Sequence, residues 1–192
     1  MDLTPYKDTL EPVFELIAND VSSVLDTLSL SQTASILDVG TGKGYFAIVL
    51  ALHGFDVLTG EPSTDQSHYA NHDWRGNAQK VGVENKIHFQ AFAADSMPFA
   101  DQSYDVVCFG GVLHHIDEAK RQQTLAETYR VLKPGGVVVF FEPNDNALVR
   151  IRENDPTHPA AANPDDYVQG LPLTQSQLAG QMMLAYIYRK TA

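Results

Sequence analysis

The sequence predicts a doubly wound α/β sheet, and three observations support this fold class. Short apolar strands alternate with helical patterns from residue 35 to residue 141, the order typical of a parallel sheet with right-handed crossovers. The stretch Ile36–Phe46 leads from an apolar strand through a glycine-rich turn into a helix. Val137–Phe141 is entirely apolar, as expected of a parallel strand that is buried on both faces.

Each predicted element follows from its local pattern. Apolar residues recur at three- and four-residue spacing over 9–28, with Pro12 in the first turn, and predict an amphipathic helix. A second helix is predicted to begin near Ser63, in a stretch with the form of a capping box, and to be short or irregular because it contains Gly76. The remaining predictions are helices over 43–52 and 118–132, the latter stopped by Lys133-Pro134-Gly135-Gly136, and strands over 35–39, 55–59, 86–92, 104–109 and 137–141.

Composition and charge exclude several classes of function. The 192 residues are 44% hydrophobic and 19% charged, which is ordinary for one globular domain with a proper core. A formal net charge of −11 without any cluster of Lys and Arg argues against a nucleic-acid substrate, because binding a phosphate backbone needs a basic surface. The single Cys108 excludes an internal disulfide and a zinc site made of several thiolates. Its apolar surroundings favour a buried hydrophobic role over a reactive thiol.

The N-terminal residues and the hydropathy of the chain indicate a location. Residues 1–5 form neither a basic nor an apolar segment, so we expect no signal peptide. We also expect no membrane association, because no run approaches the roughly 20 apolar residues of a membrane span. The cytoplasm is therefore the expected compartment.

The glycines of the turn fit neither common phosphate-binding pattern. Their spacing is G-x-G-x-G over Gly40–Gly44, whereas a dinucleotide fingerprint needs G-x-G-x-x-G and would place glycine where Tyr45 stands. A P-loop needs a hydroxyl residue after its lysine, and Lys43 is followed by glycine. Asp38 lies two residues before the first glycine, where a carboxylate would repel a phosphate. It suits a ligand that carries positive charge.

This Asp-x-Gly-x-Gly-x-Gly stretch resembles the first motif of class I S-adenosylmethionine-dependent methyltransferases, and further motifs extend the resemblance over residues 33–143. The resemblance implies a Rossmann-like doubly wound sheet of the class I methyltransferase fold, with S-adenosylmethionine as the cofactor. It assigns the methionine part of the cofactor to Gly40, Thr41, Gly42 and Gly44, with Asp38 near its ammonium.

The end of the second strand matches the ribose position. Glu61, followed by Pro62, closes this strand about 20 residues after the first glycine, where an acid accepts hydrogen bonds from ribose hydroxyls. A carboxylate can accept from both cis hydroxyls of a ribose. A plain surface acid after a strand is the alternative interpretation.

Two later stretches extend the resemblance to the adenine and the transferable methyl group. Ala94–Phe99 resembles the adenine-binding segment, which assigns Asp95 to the exocyclic amine and places Ser96 and Met97 beside the ring; taken alone, an Asp-Ser pair would be an ordinary turn. Gly110–Ile116 follows the fourth strand and contains the Leu-His-His found in many small-molecule methyltransferases of this class. The resemblance places Gly110 at the cofactor and makes His114 or His115 a general base or substrate orienter. A histidine hydrogen-bonded for loop structure fits the pattern equally well.

Other candidate residues receive weaker interpretations. His68 and His72 have the i, i+4 spacing of metal ligands on a helix. No third ligand is evident, so we expect them to be exposed and predict no metal site. Trp74 is interpreted as a packing residue, and Tyr6, ahead of the first helix, is a candidate to reach the pocket. The stretch Glu127–Gly136 matches the family closely and is assigned a structural role.

The resemblance weakens after residue 143. Residues 154–164 predict a loop, Thr174–Leu178 a helix start, and Met183–Arg189 a last strand with little room for an antiparallel partner. We therefore expect a reduced C-terminal part, with a homo-oligomer through that part as the way to complete it. The predicted boundaries within one domain are a helical cap over 1–32, a cofactor-binding core over 33–143 and the reduced segment over 144–192.

Together these features predict an S-adenosylmethionine-dependent methyltransferase that acts on a small-molecule acceptor, with no nucleic-acid or membrane partner. One alternative is a catalytically inactive protein that binds the cofactor and acts as a partner or scaffold, which the shortened C-terminal part motivates. The other is a nicotinamide-dependent oxidoreductase, which Tyr45 disfavours because it stands where that fingerprint needs glycine.

Overall fold

Five α-helices and seven strands make up the part of the chain that the computed structural model describes, namely Tyr6 and residues 9–191. The helices are α1 (Val13–Leu28), α2 (Tyr45–Leu52), α3 (Trp74–Lys80), α4 (Glu118–Val131) and α5 (Asp145–Asn154). The strands are β1 (Ile36–Val39), β2 (Val57–Gly60), β3 (Ile87–Phe89), β4 (Tyr104–Gly110), β5 (Leu132–Pro143), β6 (Leu173–Ala179) and β7 (Met183–Lys190).

All seven strands belong to one sheet in the order β3-β2-β1-β4-β5-β7-β6. β1 to β5 run parallel, and β7 is antiparallel to both of its neighbours. The chain continues from β1 toward one edge and from β4 toward the other, so the switch point lies between these two strands. Ligands of such sheets bind beyond the carboxyl ends at this point. The predicted doubly wound α/β fold is confirmed.

Each face of the sheet buries its own apolar cluster. Ile36 and Val57 pack on one face with side chains of α1 and α2, while Leu37 and Val39 pack on the other face with side chains of α4. This alternation follows from the two-residue period of a strand. α2 is apolar on all sides because it is enclosed by the sheet, α1 and α3.

The structure corrects two predicted helices. The residues after Ser63 form turns, and the helix begins only at Trp74, where the Asp73 carboxylate caps the Gly76 N–H at 2.9 Å. The predicted helix start at Thr174–Leu178 is instead strand β6, paired with β7 along its whole length. β6 is an edge strand with mainly exposed polar side chains, so its sequence lacks the apolar alternation that reveals a strand.

The C-terminal part is therefore more complete than predicted. The expected last strand is confirmed as β7, and the antiparallel partner for which there seemed little room is β6. Homo-oligomerisation through this part stays a prediction, but an unfinished sheet no longer motivates it. The three predicted boundaries also stay predictions.

One buried carboxylate fastens the final hairpin to the first helix. Asp20 of α1 is 5% exposed, and it accepts hydrogen bonds from the backbone N–H groups of Gln181 at 2.6 Å and of Met182 and Met183 at 2.9 Å. Gly180 allows this approach, because a Cβ atom there would lie 2.4 Å from the Asp20 carboxyl carbon. The contact fixes the start of β7.

Residues 1–5, where we predicted no signal peptide, lie outside the described residues. Within the described part of the chain, no helix combines the length and the apolarity needed to cross a bilayer.

Candidate active site

A cleft of about 690 Å³ opens beyond the carboxyl ends of β1, β2 and β4, where the fold predicts a ligand. Its wall includes many of the residues predicted for the cofactor: Gly40, Thr41, Gly42, Glu61, Pro62, Asp95 and Gly110, together with His115. Five other predicted site residues do not line it, namely Asp38, Gly44, Ser96, Met97 and His114. Their positions are described in turn below.

The glycine turn after β1 has the conformation that its sequence requires. Gly40 has φ +88°, and a Cβ atom there would lie 2.3 Å from the Val112 side chain. Gly44 has φ +78° and precedes α2, but a Cβ atom there would meet Trp74 at 2.9 Å. Gly44 therefore serves helix packing rather than the cleft wall. This contact also supports the interpretation of Trp74 as a packing residue.

Asp38 lies beneath the glycine turn instead of on the cleft wall. It is 1% exposed, and its Oδ2 accepts a hydrogen bond from the Thr59 hydroxyl at 2.8 Å, which in turn contacts the Thr41 hydroxyl at 3.0 Å. Its Oδ1 has no hydrogen-bond partner among the described residues. Burial, with a smaller contribution from the nearby Glu61 charge, raises the pKa of Asp38 from 3.8 to about 7. The structure thus gives Asp38 a supporting position under the turn, and contact with the ammonium stays a prediction.

Glu61 connects the glycine turn to the loop that follows β2. It is 7% exposed, and its two carboxylate oxygens accept hydrogen bonds from the Gly42 N–H at 2.8 Å and the Asn71 N–H at 2.7 Å. Each oxygen retains acceptor capacity, so a pair of hydroxyls in the cleft can still be bound. Glu61 is therefore not the plain surface acid of the alternative interpretation.

Of the three residues assigned to the adenine, only Asp95 faces the cleft. Asp95 lines it and forms an ion pair with Lys120 at 3.0 Å. Ser96 is exposed, whereas Met97 is 4% exposed in the core and donates its backbone N–H to Glu127. Phe92, Ala93 and Ala94 occupy the wall in their place. Ser96 and Met97 therefore do not line the cleft, and their contact with the adenine ring stays a prediction.

The two predicted histidines have different surroundings. His115 is exposed and lines the cleft. Loss of hydration, with smaller contributions from the neighbouring His114 and His158, lowers the pKa of His115 to about 4. His114 is 5% exposed and its Nδ1 lies 2.8 Å from the buried Glu142 carboxylate. Direct contact between His114 and a substrate in the cleft is therefore not supported.

Two further predictions concern aromatic and histidine residues outside the motifs. Tyr6 packs against the core cluster beside α1 and is not part of the cleft wall. His68 is exposed as expected, whereas His72 is half-buried and lines the cleft, so the expectation was wrong for His72. The metal-compatible spacing is lost because no helix forms there, and the His72 ring contacts the His68 carbonyl at 3.0 Å.

Several residues in or beside the cleft have no signal in the sequence. Tyr69 lies in the loop after β2 with its ring centroid 4.5 Å from that of His115, and Met183 begins β7. Neither belongs to a recognisable motif. His158 follows α5, and its ring centroid lies 5.1 Å from that of His114 and 5.0 Å from that of His115. Only the folded chain brings these residues together.

Comparison with known proteins agrees with this geometry. The sequence model of a family described as a methyltransferase domain matches residues 37–140, more than half of the chain. The chain belongs to this family. The class I S-adenosylmethionine-dependent methyltransferase prediction is thereby confirmed for family and cofactor.

Two curated relatives show how much of this chain, and how much of each relative, the sequence similarity covers. An uncharacterized methyltransferase of Bacillus subtilis, YcgJ, is 28% identical over 149 residues, covering 72% of this chain and 55% of its own length. A sarcosine/dimethylglycine N-methyltransferase of Aphanothece halophytica is 31% identical over 140 residues, covering 72% of this chain and 48% of its own length. The chain thus spans about half the length of these curated relatives.

Solved structures share the fold of this methyltransferase domain. A putative S-adenosyl-L-methionine-dependent methyltransferase from Methanococcus maripaludis superposes with a TM-score of 0.71 at 17% identity, covering 97% of this chain and 89% of that one. The crystal structure of Bacillus subtilis YcgJ gives a TM-score of 0.67 at 18% identity, with 90% and 98% covered. The class I fold is therefore confirmed beyond the C-terminal limit of the family match.

Proposed function

We propose that the protein transfers the methyl group of S-adenosylmethionine to a small-molecule acceptor bound in the cleft. The observation that carries this proposal is the shape of the cleft. It is continuous from the glycine turn and Glu61 to His115, Tyr69 and Met183. Its volume of about 690 Å³ is in the range of small-molecule sites, roughly 300–1,000 Å³.

The two ends of the cleft suit two ligands. The glycine turn, Glu61 and Asp95 would hold the cofactor by its methionine part, ribose and adenine. His115, Tyr69 and Met183 would then face the methyl group and the acceptor. A sulfonium is already an activated methyl donor, so the main contribution of the protein is to hold the acceptor atom in line at about 3 Å. A general base is needed only for a weak nucleophile.

The names of relatives support a small acceptor. One relative is a sarcosine/dimethylglycine N-methyltransferase, and another, from Desulfotalea psychrophila, is a ubiquinone/menaquinone biosynthesis C-methyltransferase. The acidic net charge of −11 supports an acceptor other than a nucleic acid. The inactive-scaffold alternative was motivated by a shortened C-terminal part, and β6 and β7 remove that motive.

Calorimetric titration with S-adenosylhomocysteine, the expected product, tests the cofactor end. We expect micromolar binding by the wild type and a loss of about 1–3 kcal/mol in Glu61→Gln, because an amide cannot accept from both backbone N–H groups and from ribose. Glu153→Gln, an exposed change on α5, is the matched control and should bind like the wild type.

A screen of amine, hydroxyl and thiol acceptors then tests catalysis. Methylated product that is lost in Glu61→Gln and retained in Glu153→Gln would support the proposal. Failure of the folded wild type to bind the product analogue would refute it at the cofactor end. Tight binding without turnover of any acceptor class would favour the inactive-scaffold alternative.

A further inference from the structure

Three histidines meet at the acceptor end of the cleft. His114 and His115 belong to the short helical turn after β4, and His158 belongs to the loop after α5. Their ring centroids are separated by 4.2, 5.0 and 5.1 Å. One nitrogen of each ring lies within 4.8 Å of the corresponding nitrogens of the other two.

The contacts of His158 fix which of its nitrogens carries the proton. The Tyr69 hydroxyl donates to the Asp155 carboxylate at 2.5 Å, so its oxygen is free to accept from His158 Nδ1 at 2.8 Å. A neutral His158 therefore carries its proton on Nδ1 and a lone pair on Nε2. The His158 side chain is 3% exposed, and this Nε2 has no hydrogen-bond partner among the described residues.

His114 has the same arrangement. Its Nδ1 lies 2.8 Å from Glu142 Oε2, which also accepts the Ala162 N–H at 2.8 Å. A carboxylate accepts and does not donate, so Nδ1 of His114 carries the proton and Nε2 presents a lone pair. A histidine that donates its outer N–H to a carboxylate or another acceptor is the usual arrangement around a metal ligand.

These tautomers leave the inner Nε2 atoms of His114 and His158 with no N–H to donate to each other, and a neutral His115 has one N–H, which can serve at most one of them. Two imidazoles can bond to each other only if one presents N–H where the other presents a lone pair. Here the protons of His114 and His158 are already committed to outer acceptors. A lone pair buried without a partner is costly, and a cation between the rings would satisfy the inner nitrogens together.

We propose that His114, His115 and His158 bind one divalent transition-metal ion, with Zn²⁺ the best match to three imidazole ligands. Zn–N bonds of about 2.0–2.1 Å in tetrahedral geometry separate ligand atoms by about 3.3 Å, so nitrogens that now lie within 4.8 Å of one another need to approach by at most about 1.5 Å. Three protein ligands leave a fourth position open, as in catalytic zinc sites. Since His115 lines the cleft, that position faces the acceptor end.

The role of the ion rests on the proposed function. At the open position it would hold an oxygen, nitrogen or sulfur atom of the acceptor beside the methyl group. This explains why a cleft otherwise built for the cofactor has a cluster of imidazoles at its far end, with the buried Glu142 and the half-buried Asp155 arranged behind two of them.

Metal binding by itself tests the inference. Untagged wild-type protein is stripped with a chelator and titrated with Co²⁺, followed by visible absorption, and with Zn²⁺, followed by calorimetry. We expect one ion per chain and the intense visible bands of tetrahedral Co²⁺. His158→Gln and His114→Gln should each weaken binding at least tenfold and abolish those bands.

Two controls carry the same substitution away from the cluster. His88→Gln changes an exposed histidine on β3, and His68→Gln changes an exposed histidine in the loop after β2; both should bind metal like the wild type. Should the cluster variants fail to fold, a rise in the melting temperature of wild type and His88→Gln on adding Zn²⁺ provides a second measurement. No metal binding and no stabilisation in folded wild type, or unchanged affinity in a folded His158→Gln, would overturn the proposal.

Titration of the metal-free protein with S-adenosylhomocysteine separates this proposal from the methyltransferase proposal. Binding of the nucleoside without binding of metal would refute the metal site alone. Binding of metal without the nucleoside would refute the cofactor site alone.

Discussion

The substitution Asp20→Asn tests how the C-terminal hairpin is held. The Asp20 carboxylate accepts three backbone N–H groups at 2.6–2.9 Å while being 5% exposed. An asparagine of the same size keeps one oxygen for Met182 and Met183 but turns an NH₂ group toward the Gln181 N–H. One charge-assisted bond is lost, two are weakened, and a buried donor is left unpaired. With about 1.5–3 kcal/mol for a bond to a charged group, we expect a loss of roughly 2–5 kcal/mol.

The free energy of unfolding is measured by urea denaturation of wild type, Asp20→Asn and Asp26→Asn. Asp26 lies on the same helix and is exposed, so its variant should stay within about 0.5 kcal/mol of the wild type. Amide hydrogen exchange adds a local measurement, because the N–H groups of residues 181–183 should lose protection in Asp20→Asn only. Equal stability of the two variants, with unchanged protection at the hairpin, would refute the reasoning.

Two further predictions concern the cofactor end of the cleft. Because the folded protein holds the Asp38 proton more tightly than the unfolded chain, the contribution of Asp38 to the unfolding free energy should fall as pH rises from 3.8 to about 7, by an amount on the order of 4 kcal/mol. Carboxyl groups with a lowered pKa, such as Glu127, act in the opposite direction. The measurement is therefore the difference in unfolding free energy between wild type and Asp38→Asn in urea titrations over this range, and a difference that does not change with pH would contradict the prediction. Gly110→Ala would place a Cβ atom 2.2 Å from the buried Phe46 ring. The substitution should lower the free energy of unfolding by about 1–3 kcal/mol. It should also weaken S-adenosylhomocysteine binding, since Gly110 and Phe46 both line the cleft. Wild-type stability together with wild-type affinity would contradict this prediction and show that the Phe46 ring moves freely.

The parts of the site that sequence could predict are those where local backbone demands a residue type. Gly40 needs a positive φ and close approach to Val112, and such a requirement is visible in a short motif. Glu61 was assigned by its place at the end of a strand, and the structure confirms that it lies at the cleft. The capping-box form at Ser63 was misleading because Glu61 holds the following loop through Asn71, an interaction that local sequence does not reveal.

The missed features depend on residues far apart in the chain. His158 joins His114 and His115 only through the loop after α5, so the spacing of histidines along the sequence did not indicate a cluster. β6 was missed because a polar edge strand is recognisable only by its pairing with β7. Asp20 looks like any charged residue of an amphipathic helix until the hairpin places three donors against it.

The bond between α1 and the hairpin has a consequence for synthesis. Asp20 and Gln181 are 161 residues apart, so the acid leaves the ribosome long before the N–H groups that it will accept. Until β7 is made, the three N–H groups that compensate this carboxylate are missing, so α1 can pack against α2 only with the Asp20 side of the helix open to water. Contacts of such long range form late in folding, because closing the intervening loop costs conformational entropy. A nascent chain interrupted before residue 181 would thus expose to the cell's proteases the part of the first helix that the hairpin covers in the complete fold.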